Sequence, residues 1–208
     1  VSDEPRSARR RWIAVGLSLA IVAAASVTTA AVWDRGGEPS AAPTTTTRAT
    51  TTTLAPTTTT ITLPTPSAPP ADPYENVPVI QIGTIEIPKI GLSHPIFEGV
   101  WLSVVDHGPG HWPGTAMPGK LGNATFAGHR VTNTRPFYDM DQLAVGDHVV
   151  FHMPEGSFTY AITETLVVGP DALWIADQTA KHTMTLFACH PKHSAAQRIV
   201  VKGELVTT

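Results

Sequence analysis

Hydrophobic and polar positions are distributed very unevenly along the 208 residues. From Pro78 onward, short apolar runs recur between Gly and Pro punctuation: Val79–Ile87, Ala124–Ala127, His148–His152, Thr159–Val168, Thr183–Ala188 and Arg198–Val206. They are rich in Val, Ile, Thr and Phe, and none is long enough for helical periodicity. Many short strands at near-regular spacing predict a small all-β barrel or sandwich. Single helical turns are expected at Phe137–Leu143 and Ala172–Ala176. In Thr183–Ala188 the alternation places Met184, Leu186 and Ala188 on one face and Thr183, Thr185 and Phe187 on the other. Gly108–Gly114 and Met117–Gly122 read as loops.

The N-terminal part follows a different pattern. Trp12 to Val32 is apolar or small, and it is preceded by Arg6, Arg9, Arg10 and Arg11. Some 20 residues of helix cross a bilayer's hydrocarbon core. Arginines on one flank keep that end in the cytoplasm. Residues 1–11 are therefore expected to be a cytoplasmic basic tail, and 12–33 a single-pass transmembrane anchor in the cell membrane. Cleavage as a signal peptide is the alternative; in either case the remainder is exported. Residues 34–76 are dominated by Thr, Pro, Ala and Ser. Their apolar surface is too small to offset ordering entropy, so a disordered linker is expected. The folded domain is placed at 77–208, on the extracellular side.

Composition narrows the function. With 14 Lys and Arg against 17 Asp and Glu, the chain lacks the basic excess that nucleic acid requires. A lone cysteine excludes an internal disulfide framework. That residue, Cys189, lies at the end of a predicted strand that Pro191 terminates. Arg198 opens the next strand, so pairing of the two as a hairpin sets thiol and guanidinium face to face. A third strand end carries His129, after Gly128. These three side chain types can supply a nucleophile, an acid/base and an oxyanion clamp.

Each has a plainer reading. A free cysteine is commonly a small buried hydrophobe, His129 an ordinary strand-end residue, and Arg198 a surface arginine. Zinc is a rival, given nine histidines. However, His107/His111 spans a Gly/Pro loop and His148/His152 lies on a strand, where residues four apart are separated by roughly 13 Å. No metal or other cofactor is expected.

Several stretches, in order, resemble the sortases, exported cysteine transpeptidases of Gram-positive bacteria. They are Gly83–Ile90 with His94-Pro95-Ile96, Gly108–Thr115, Ala127-Gly128-His129-Arg130 with Pro136-Phe137, Thr185–Cys189 with Pro191, and Arg198. The Gly-Pro-Gly-His loop and the short interval from Cys189 to Arg198 resemble the actinobacterial class E members most, with class D or F as alternatives. Two departures, Phe187-Ala188 before the cysteine and Val131-Thr132-Asn133 after His129-Arg130, bear on substrate preference.

The resemblance implies a closed β-barrel of about eight strands with short connecting helices. It also implies a membrane-anchored transpeptidase needing no cofactor, with Cys189 as nucleophile, His129 as acid/base and Arg198 as oxyanion donor. The implied partners are exported proteins with a C-terminal sorting signal of Leu-Ala-x-Thr-Gly or Leu-Pro-x-Thr-Gly type, and a peptidoglycan-precursor or pilin amine. Two other readings remain: a non-catalytic tethered β-domain that binds wall polymer, and an L,D-transpeptidase-like enzyme. The latter family's Ser-x-Gly-Cys-x-Arg motif is missing around Cys189.

Overall fold

The computed structural model describes residues 61–206. The expected anchor at 12–33, and the linker as far as residue 60, lie outside them. Eight strands form a closed barrel: β1 (Gln81–Ile87), β2 (Leu92–Glu98), β3 (Gly110–His111), β4 (Gly122–Ala127), β5 (His148–Met153), β6 (Gly156–Val168), β7 (His182–His190) and β8 (Gln197–Leu205). Around the barrel the order is β1-β2-β3-β4-β7-β8-β6-β5, closed by β5 against β1. The short helix α1 (Leu102–Val105) joins β2 to β3, and 3-10 turns occupy Met140–Gln142 and Leu173–Ala176. The two expected helical turns are thus present.

Most strands are antiparallel, but β4 and β7 run parallel, in register from Gly122↔His182 to Ala127↔Phe187. On the inner side Ala124 and Phe126 of β4 meet Met184, Leu186 and Ala188 of β7, all fully or almost fully buried. This is the face that alternation assigned to the core. Phe126 stacks on Phe151 with ring centroids 5.0 Å apart, and Phe151 meets Tyr160 edge-on at 5.7 Å.

The outer faces of β4 and β7 are also covered, by residues 173–178. Asn123 donates from Nδ2 to the Ile175 and Asp177 carbonyls (3.0 and 3.2 Å) and accepts from Thr185 Oγ1 (3.0 Å). The Gln178 amide bonds the backbone of Asn123 in both directions, at 3.0 Å each. The buried Asn123 amide and Thr185 hydroxyl are thereby satisfied rather than left as a penalty.

The structure adds one strand and corrects two sequence expectations. Leu92–Glu98 is a strand, although Pro95 interrupts its apolar pattern. Proline lacks an N–H, but residues on both sides still pair with β1. Gly110-His111, expected within a loop, forms the two-residue β3 that bridges β2 and β4. A side chain at Gly110 would bring its Cβ within 2.1 Å of the Gly99 carbonyl oxygen, so only glycine permits this approach.

The second correction concerns residues 61–76, placed by composition in the disordered linker. They form an extended strap against the barrel. The Ser67 N–H donates to the Pro113 carbonyl, and Trp112 Nε1 donates back to the Ser67 carbonyl, both at 2.9 Å. The Leu102 N–H donates to the Pro73 carbonyl at 2.7 Å, and Ser103 Oγ to the Glu75 carbonyl at 2.9 Å. Composition counts only the apolar surface that a segment itself carries. Here the barrel supplies it, and proline-rich backbone loses less entropy on ordering.

The core predicts a local cost. Phe126→Ala should lower unfolding free energy by about 3–5 kcal/mol, the usual range for emptying a fully buried phenylalanine site. Val145→Ala, at an exposed loop position, should change it by less than about 0.5 kcal/mol. Denaturant melts of the two variants would check the contrast.

Candidate active site

The parallel register of β4 and β7 carries the chain ends forward together. Ala127 lies beside Phe187, the Gly128 N–H donates to the Phe187 carbonyl at 3.0 Å, and His129 then stands level with Cys189. Across β7 and β8, Cys189 and Arg198 are direct partners. The three residues singled out in the sequence are thus brought together, and all line one groove of about 360 Å³.

Apolar walls flank them: Val100, Leu102 and Val105 from around α1, Trp112, Ile175, and Phe187 from β7. Trp112 and Phe187 lie 5.8 Å apart, ring to ring. The strap adds Pro69, Pro70 and Pro73 to the same groove. Phe187 and Ala188, the departure from the family pattern, stand directly in its lining.

Gly128 has a clear steric reason. A Cβ there would come within 2.4 Å of the ring of Phe137, which is fully buried beneath it. Close approach, not a left-handed backbone, is what that position needs. The Phe137 N–H in turn donates to the His129 carbonyl at 3.2 Å, which fixes the turn that delivers the imidazole.

Arg198 donates from Nη1 to the Ala195 and Gln197 carbonyls, both at 2.9 Å. These bonds hold the guanidinium at the groove. Cys189 is partly exposed, on a strand, as a reacting thiol must be. The bland reading of a buried cysteine does not hold.

Two polar groups escaped sequence reasoning. Asp106, the residue after α1, accepts from His129 Nε2 at 2.7 Å, and Asn133 Nδ2 donates to the same oxygen. Arg130, 2% exposed, is the largest fully buried side chain among the described residues. It donates from Nε to the Tyr138 carbonyl (3.0 Å) and from Nη1 to His190 Nδ1 (3.1 Å) and the Cys189 carbonyl (3.5 Å). Its Nη2 pairs with Asp141 at 2.9 Å. The guanidinium thus ties the turn after His129 to the backbone of the cysteine. A buried arginine gives no signal in a hydropathy pattern, since charged residues are almost never buried unless paired.

Comparison with known proteins agrees with this geometry. The family model described as the sortase domain matches residues 85–206, more than half of the chain. The chain belongs to the sortase family. It is 33% identical over 129 residues to sortase D of Bacillus subtilis, covering 60% of this chain and 64% of that protein. It is likewise 33% identical over 138 residues to sortase SrtE1 of Streptomyces coelicolor, covering 59% of this chain and 39% of that one. Among solved structures, a sortase D5 transpeptidase of Clostridium perfringens superposes with a TM-score of 0.57 at 35% identity, covering 61% of this chain and 79% of that one. The family match sets aside the L,D-transpeptidase-like reading, and the matched segments span less than two thirds of either curated relative's own length.

Burial raises the pKa of Asp141, but its own backbone N–H and the charges of Arg130 and Lys192 outweigh this and hold the carboxyl below its ordinary value. A carboxylate lowered by folding stabilises the protein above its unfolded pKa, and that contribution is lost as pH falls through the folded value. Wild type should therefore lose more thermal stability between pH 7 and pH 3 than Asp141→Asn does, in parallel melts at the two pH values. Equal losses would mean that the pairing with Arg130 has no weight in the fold.

Proposed function

We propose that this sortase is a membrane-anchored, extracellular transpeptidase whose catalytic residues are Cys189, His129 and Arg198. The observation that carries the assignment is their convergence in one groove from three strand ends. The Cys189 thiolate attacks the Thr–Gly carbonyl of a sorting signal, and the S–C bond forms as charge moves to the carbonyl oxygen. Arg198 donates to that oxygen; a planar guanidinium offers fixed donors. The C–N bond then breaks, and His129 gives a proton to the departing glycine amine. An acceptor amine attacks the thioester, loses its proton to His129, and releases the thiolate.

The signal is of Leu-Ala-x-Thr-Gly or Leu-Pro-x-Thr-Gly type. Support comes from the apolar walls at Val105, Trp112 and Ile175, which suit an extended peptide with a leading leucine. The acceptor is a peptidoglycan-precursor or pilin amine. Arg9-Arg10-Arg11 before the apolar 12–33 stretch supports a cytoplasmic N-terminus and an exported domain. Anchoring enzyme, substrate and acceptor in one membrane raises their effective concentration.

Three measurements test this reading. Mass spectrometry of a sorting-signal peptide incubated with an amine should show the joined product with wild type and none with Cys189→Ala. Both Arg198→Ala and Arg198→Lys should slow acylation by about 100–1000-fold, the usual loss for one oxyanion donor, with melting little changed. Joining by a folded Cys189→Ala protein would refute the nucleophile. For topology, protease added to intact spheroplasts should digest the domain at 77–208, and its protection would refute export.

A further inference from the structure

The contact behind His129 goes beyond these three residues. The imidazole presents Nε2 to Asp106 Oδ1 at 2.7 Å. A carboxylate only accepts, so Nε2 is the protonated nitrogen in this contact. We propose that Asp106 is the positioning residue for His129: it holds the ring by Nε2 and leaves Nδ1 as the atom that gives and takes the proton. The assignment rests on the thiol–imidazole chemistry above.

Asp106 is itself placed by two contacts. Its backbone N–H bonds the Leu102 carbonyl at 2.9 Å, closing α1, whose residues Leu102 and Val105 form a groove wall. Asn133 donates to the oxygen that faces the imidazole, from a left-handed backbone at φ 49°. Such a conformation is uncommon outside glycine but tolerated by asparagine. Oδ1 thus has two donors, one of them the ring.

The carboxylate lies behind His129 rather than in the groove lining, so it acts through the imidazole. Helix stability gives no alternative reason for it, because an acidic side chain at a helix C-terminus faces the negative end of the dipole. The proton balance is closed. In acylation Nδ1–H goes to the leaving amine, in deacylation the acceptor amine's proton returns to Nδ1, and the Nε2–H bond to Asp106 persists throughout.

The test uses the full chain in detergent, with Asp106→Asn, Asp106→Ala and Asn133→Ala. Acylation kcat should fall about 10–100-fold in both Asp106 variants, a share of the 10²–10⁴ typical of general acid–base catalysis. KM and melting temperature should stay near wild type. Asn133→Ala, which removes only a support, should lose less. In protein with ¹⁵N-labelled histidine, the wild-type His129 Nε2 should carry a slowly exchanging, low-field proton that is absent from Asp106→Ala.

Unchanged or faster kcat in Asp106→Ala would overturn the proposal; faster turnover would mean that the carboxylate restrains the ring. A loss confined to KM, or one that tracks melting, would overturn it too. The ring proton needs no substrate. If wild type acylated with no sorting peptide, the substrate reading would fail. The proton would then still decide the Asp106 contact, and its absence from wild type would refute it.

Discussion

The backbone ladder between β4 and β7 is the constraint on which the molecule depends. Parallel strands cannot be joined by a tight hairpin, so everything from His129 to Lys181 serves as the crossover between them. That crossover holds β5 and β6, which wrap round to close the barrel on β1 and β8. The same ladder sets imidazole and thiol side by side, because parallel strands present their ends at the same edge. An antiparallel pair would have sent the two groups to opposite ends of the barrel.

Around this ladder, polar groups do what apolar packing cannot. Hydrophobic contact is non-directional, and a barrel filled by Phe126, Met184 and Leu186 tolerates small displacements. The Arg130 guanidinium does not: its bonds to the Cys189 carbonyl, His190, Tyr138 and Asp141 are directional and radiate from one planar group. Gln178 and Asn123 do the same on the outer face. A buried charge thus fixes the strand ends beside the site, and two amides fix the outer face at the start of β4.

Legibility in the sequence follows length and regularity. β7 alternates over Thr183–Ala188 and β8 carries the apolar run Ile199-Val200-Val201, so the pattern suffices to put Cys189 and Arg198 at the facing ends of two strands. His129 is located by Gly128 and the apolar run before it. β2 is hidden because Pro95 breaks a pattern that is half-exposed on both faces. β3, with two residues, and α1, with four, are too short to show any period. Asp106 falls in the gap between them, and its meaning depends on a contact with a residue far along the chain. The strap is misread because composition reports what a segment can bury by itself, not what it can lean on.

Arrangement along the chain also has a consequence in time. Thiol and guanidinium belong to β7 and β8, and β8 supplies a neighbour to β6 as well as to β7. A chain leaving the ribosome N-terminus first holds its histidine long before it holds either partner. It cannot close the barrel until β8 is made. A product that stops before Arg198 therefore lacks the strand that pairs with Cys189. Cys189 and Arg198 come to face one another only once β8 has been made.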